Sequence, residues 1–148
     1  RPVTKEERLQ SAQLLTIESG DLTISAADDA IHCDYTLQIG AEGTDGPAIL
    51  ITDCDEGLEA AALHVALGDI RIRASDDCLN AANSDLSGFD FSMDISGGTI
   101  SAYTPDGDGF DSNGSMTISG GTPPEKPDGG TPPERPDNAS EPPEPGNL

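Results

Sequence analysis

The sequence predicts an all-β protein, a parallel β-helix or solenoid followed by a disordered Pro-rich tail. Three observations carry this. Apolar residues come in short alternating stretches bounded by Asp and Gly turns, too brief for helices. One five-residue signature recurs four times along the chain. Acid is packed between the apolar stretches: Gly20 to Gly121 holds sixteen Asp and three Glu against two bases, Arg71 and Arg73.

Taken in order, residues 1–13 hold three of the seven bases and read as a polar lead-in, a short helix or a frayed start. The first residue is Arg1 rather than Met, and no leader with a basic start and an apolar stretch is visible. The chain is therefore expected to be processed or cut from something longer. Period-2 alternation then predicts strands at Leu14–Ile17, Leu22–Ala26, Thr36–Ile39, Ala48–Ile51, Leu63–Leu67, Asp69–Ala74, Ser92–Ile95, Thr99–Ala102 and Ser115–Ile118. After Gly121 the text changes, and Thr122-Pro-Pro-Glu-Lys-Pro-Asp128 returns as Thr131-Pro-Pro-Glu-Arg-Pro-Asp137. With Ala139 and Leu148 its only apolar residues besides proline, 122–148 is expected to be an extended polyproline spacer.

The repeat chooses among β architectures. Asp28-Asp29-Ala30-Ile31-His32 recurs as Asp55-Glu56-Gly57-Leu58-Glu59, as Asp76-Asp77-Cys78-Leu79-Asn80 and as Gly107-Asp108-Gly109-Phe110-Asp111. The anchors Asp29, Glu56, Asp77 and Asp108 are 27, 21 and 31 residues apart, one β-helix rung each. Ile31, Leu58, Leu79 and Phe110 are then expected to stack inward, while a sandwich has no need of one signature at every corner. The repeat region is placed at 14–121.

Stacking gives the acids a meaning. The net charge of −21 excludes nucleic acid and an anionic membrane surface as partners, since phosphate is repelled. No apolar run approaches the ~18 residues a spanning helix needs. Rungs lie about 4.8 Å apart, so stacked carboxylates repel unless a cation separates them. Calcium takes about six to eight oxygen ligands on a backbone that curls. Asp106, Asp108, Asp111 and Asn113, interleaved with three Gly, supply such oxygens. The EF-hand pattern fails there, because Phe110 stands where an oxygen is required. The competing reading is a set of turns whose Asp side chains cap backbone amides.

Other chemistry finds little support. His32 and His64 stand far apart, no Gly-x-Ser-x-Gly elbow occurs, and no zinc spacing exists. Cys33, Cys54 and Cys78 fall in different repeat columns, which predicts small buried thiols, with one bridge left open.

The runs Asp29-Ala-Ile-His-Cys-Asp34, Glu56-Gly-Leu-Glu-Ala60, Ser75-Asp-Asp-Cys-Leu-Asn-Ala81 and Gly107-Asp-Gly-Phe-Asp-Ser-Asn-Gly114, closed by Ile118-Ser-Gly-Gly121, resemble a bacterial family of calcium-binding carbohydrate-binding domains. The likeness covers roughly Leu14 to Thr122 and matches four motifs in order. It implies a right-handed parallel β-helix of the pectate-lyase type, here a C-terminal part lacking N-terminal rungs. It also implies bound Ca2+, export to the cell surface and binding of plant-type polysaccharide, pectic or cellulose-like. By position, the metal set is Asp28, Asp29, Glu56, Glu59, Asp76, Asp77, Asn80, Asp106, Asp108, Asp111 and Asn113. Ala30 and Cys78 depart from the family's usual Gly.

The expected function is therefore a non-catalytic, calcium-dependent polysaccharide-binding domain. Arg71 and Arg73 alternate with Ile70 and Ile72, so both point outward, where they either clamp a uronate carboxylate or merely offset the neighbouring Asp. A lyase is the alternative on the same fold, yet the repeat region has no Lys to serve as base. A structural or adhesive surface module is the third reading.

Overall fold

The computed structural model describes residues 9–11 and 13–122. Twelve strands, all paired in parallel, wind into four rungs and the start of a fifth, and no helix occurs among the described residues. The first rung is β1 (Leu9–Ser11), β2 (Leu14–Ile17) and β3 (Gly20–Ser25). The second is β4 (Ile31–Ile39) and β5 (Pro47–Asp53), and the third is β6 (Leu58–Val65) and β7 (Asp69–Arg73). The fourth is β8 (Leu79–Ala81), β9 (Ser92–Ile95) and β10 (Thr99–Tyr103). β11 (Phe110–Ser112) and β12 (Ser115–Ile118) open the fifth, and Thr122 bridges Thr99.

Three faces result. β1, β8, β11 and the first halves of β4 and β6 make one. β2, β9, β12 and the second halves of β4 and β6 make the next, and β3, β5, β7 and β10 make the third. β4 serves two faces because its ladder to β6 shifts between Cys33 and Thr36.

Register turns alternation into stacks. Ile31, Leu58, Leu79 and Phe110 pair in sequence, as the repeat predicts. Leu15, Leu37, Leu63, Met93 and Met116 form a second apolar column, and Leu22, Ile49, Ile70 and Ile100 a third. Their middle members are fully buried, whereas Ile118 on the last strand is 61% exposed. Each buried Leu or Ile contributes about 1.5–3 kcal/mol, so a chain this acidic still owns a core.

Alternation alone misplaces some elements. Leu9–Ser11, read as lead-in, pairs with Ile31–Cys33 as a strand. β4 and β6 begin at Ile31 and Leu58, five residues earlier than periodicity indicates, and β8 and β11 were read as parts of corner motifs. These are segments of three residues or so that hold strand geometry because a neighbouring rung pairs with them. Cys33, Cys54 and Cys78 are buried and free, which closes the disulfide question. The Pro-rich segment after Thr122 lies outside the described residues.

One corner repeats through backbone conformation. Gly20, Gly46, Gly68, Gly98 and Gly121 have φ of 103°, 80°, 129°, 87° and 104°, one at each turn onto or beside the third face. A Cβ on Gly68 would stand 2.9 Å from the Pro47 carbonyl oxygen. Gly68→Ala is expected to destabilise the fold by about 1–3 kcal/mol, lowering the urea midpoint with m unchanged.

Candidate metal site at the acidic corner

The turn from the third face back to the first is made by residues 26–30, 54–57, 74–78 and 104–109, one per rung. Backbone bonds carry the ladder through it. Ala30 N donates to Glu56 O (2.8 Å), Gly57 N to Asp77 O (3.0 Å) and Cys78 N to Asp108 O (2.9 Å). Asp29, Glu56, Asp77 and Asp108 therefore lie one above another, as the repeat alignment requires. Three positions on, His32, Glu59, Asn80 and Asp111 pair in register. Gly57 fits this turn because a Cβ there would sit 2.4 Å from the Cys78 carbonyl oxygen. Ala30 and Cys78, the departures from Gly, are both fully buried.

The upper corner holds a histidine that sequence reasoning set aside. His32 Nδ1 lies 2.8 Å from Glu59 Oε1 and 3.2 Å from Asp29 Oδ2, while Nε2 lies 2.9 Å from Asp34 Oδ1. The bonds to Asp29 and Glu59 push the imidazole pKa up to about 10, against the opposing effect of burial. The signal was present in the repeat, which sets His32 in the column of Glu59, Asn80 and Asp111. Its weight was lost because the other copies carry oxygen there.

One rung down, charge has no such partner. Burial pushes Glu56 up to about 8, with Glu59 adding to the rise and the Asn80 amide opposing it. Asn80 Nδ2 donates to Glu56 Oε2 at 3.2 Å. Asn80 is 7% exposed, and its Oδ1 is buried without a hydrogen-bond partner. Further down, Asp77 Oδ1 accepts from Asp108 N at 2.8 Å, and the charge of Asp77 raises the Asp76 pKa.

The structure thus brings Asp29, Glu56, Glu59 and Asn80 together, with Asp77, Asp108 and Asp111 continuing the two columns. Asp28, Asp76 and Asp106 stand exposed on the outside of the turns. Asn113 is separated from this corner: it lies past β11, at the turn to β12, with its N–H on Ala81 O.

Arg71 and Arg73 project from the third face on β7, the strand that runs directly into the corner at 74–78. Arg71 pairs loosely with Asp69 at 3.4 Å, and the Arg73 guanidinium lies 4.7 Å over the Tyr103 ring. Tyr103 is 52% exposed, whereas Tyr35, Phe89 and Phe91 pack against one another. Beside Arg71 runs a shallow groove of about 380 Å³ floored by Thr23 and Leu50.

The signs of the His32 and Glu56 shifts agree. His32, raised from 6.5 to about 10, adds stability that is complete below pH 6.5 and lost as pH rises through 10. Glu56, raised from 4.5 to about 8, favours the fold below pH 4.5 and loses that contribution as pH rises through 8. In chelator, the melting temperature is expected to fall steadily between pH 5 and 10. His32→Gln is expected to flatten the upper part of that curve.

No family model, curated protein or solved structure matches this chain, so the likeness to calcium-binding carbohydrate-binding domains rests on the four motifs.

Proposed function

We propose that the protein is a non-catalytic, calcium-dependent polysaccharide-binding module of an exported, surface-located bacterial protein, and that it prefers acidic pectic chains. The observation that carries this reading is Asn80 Oδ1, a buried carbonyl oxygen without a partner inside a column of carboxylates. A hard dication satisfies that oxygen and offsets both the burial and the neighbouring Glu59 charge that raise Glu56. Glu56, Asp77, Asn80, Asp108 and Asp111 offer the oxygen donors in adjacent rungs, and the motif resemblance points to the same ion.

The glycan reading rests on what borders the column. Arg73 and Tyr103 end the two strands that lead into the corner in successive rungs. An exposed aromatic ring under the Arg73 guanidinium, with Arg71 two residues back on the same strand, suits a sugar bearing a carboxylate. The ring stacks on the pyranose face and the arginines hold the acid. Neutral cellulose engages the ring alone. Calcium held at the corner adds a bridge to the uronate and lowers the surrounding negative charge, which otherwise repels such a chain.

Pull-down on insoluble polygalacturonate and on cellulose, with Ca2+ and with chelator, tests the proposal. Retention on polygalacturonate is expected only with Ca2+, and Arg73→Ala is expected to weaken it by at least tenfold. Retention that ignores chelator, or release of unsaturated ultraviolet-absorbing products, would sink it. At a Ca2+ concentration about a hundred times Kd, unfolding should cost about 2.7 kcal/mol more than in chelator.

A further inference from the structure

We propose that Asp29, His32 and Glu59 form a separate site for a first-row transition-metal dication, with Zn2+ the fitting ion. It goes beyond calcium and glycan binding and does not depend on either. The donor atoms of the three residues lie within 4.8 Å of one another, and each side chain is largely buried.

The argument starts from the second nitrogen of the ring. His32 Nε2 stands 2.9 Å from Asp34 Oδ1, so Asp34 accepts the Nε2 proton and fixes the tautomer. In the neutral ring this leaves the Nδ1 lone pair facing Glu59 Oε1 at 2.8 Å and Asp29 Oδ2 at 3.2 Å. A lone pair and two carboxylate oxygens at such separations require a cation among them. A proton on Nδ1 is one solution and a metal in its place is the other. A carboxylate that orients a histidine whose other nitrogen faces the metal is the usual outer-sphere arrangement of zinc sites.

Donor chemistry decides which metal. Calcium gathers about six to eight oxygens and has little use for imidazole. Zn2+ accepts nitrogen and carboxylate oxygen at about 2.0–2.2 Å in a tetrahedron, which puts neighbouring donors about 3.3 Å apart. The two separations from Nδ1 need to open by only a few tenths of an ångström. Three protein donors leave the fourth position for water or a ligand. Asp29 and His32 come from one rung and Glu59 from the next, so the ion clips β4 to β6.

The test is an optical titration of the full chain with Co2+, in excess Ca2+ so that oxygen-only positions are filled. One saturable equivalent with visible ligand-field bands is expected, displaced by Zn2+. His32→Ala should abolish the bands. Asp34→Asn, at a side chain 43% exposed that donates nothing to the metal, should weaken Co2+ by about 10–100-fold. No saturable signal in the native chain, or bands that survive His32→Ala, would overturn the site. Should His32→Ala fail to fold by circular dichroism, unchanged affinity in Asp34→Asn overturns it instead. Failure of calcium-dependent pectin binding leaves this readout untouched.

Discussion

Parallel, in-register pairing is the constraint from which the rest of this structure follows. It sets each side chain about 4.8 Å from its counterpart in the next rung, whatever that counterpart is. Like therefore meets like. Where the repeated residue is Ile or Leu, the result is a continuous apolar column and a core that needs neither helices nor disulfides. Where the repeated residue is Asp or Glu, the same ladder lines up negative charge along a corner. The backbone cannot offer one outcome without the other.

The chain handles that corner differently at each level. Between the second and third rungs a histidine stands among three carboxylates, so positive charge is supplied from within. Below it, Glu56 is desolvated beside Glu59 with the Asn80 amide opposing, and its proton affinity rises accordingly. Asn80 breaks the charged column with a neutral side chain, but its carbonyl oxygen is then left buried and unpartnered. In the lowest levels Asp76 and Asp108 are exposed, and water screens what the protein does not. The corner is thus a graded series of solutions to one electrostatic problem.

Much of this was legible in the sequence, because the recurring signature is itself the ladder written along the chain. The inward column Ile31, Leu58, Leu79 and Phe110 and the stacked anchors Asp29, Glu56, Asp77 and Asp108 both follow from aligning its four copies. The β8 and β11 strands did not, since three residues carry too little alternation to be read and owe their geometry to the rung beside them. His32 was hidden by chemistry rather than by pattern: counting bases as Lys and Arg leaves out a group whose charge depends on its neighbours. Asn113 was drawn in by proximity along the chain, although β11 carries it away from the corner.

The glycine turns also explain why the anchors are unevenly spaced. The turn onto the third face is short in the first, third and fourth rungs, with a glycine in a conformation few other residues adopt, and the acidic turn is tied to its neighbours by backbone bonds. Length is instead taken up at residues 40–46, a longer form of that turn in the second rung, and at residues 82–91, between β8 and β9. Spacings of 27, 21 and 31 residues along the chain thus become equal steps in space. The molecule works as a ruler with fixed marks, its graduations set by the rungs rather than by the length of chain that runs between them.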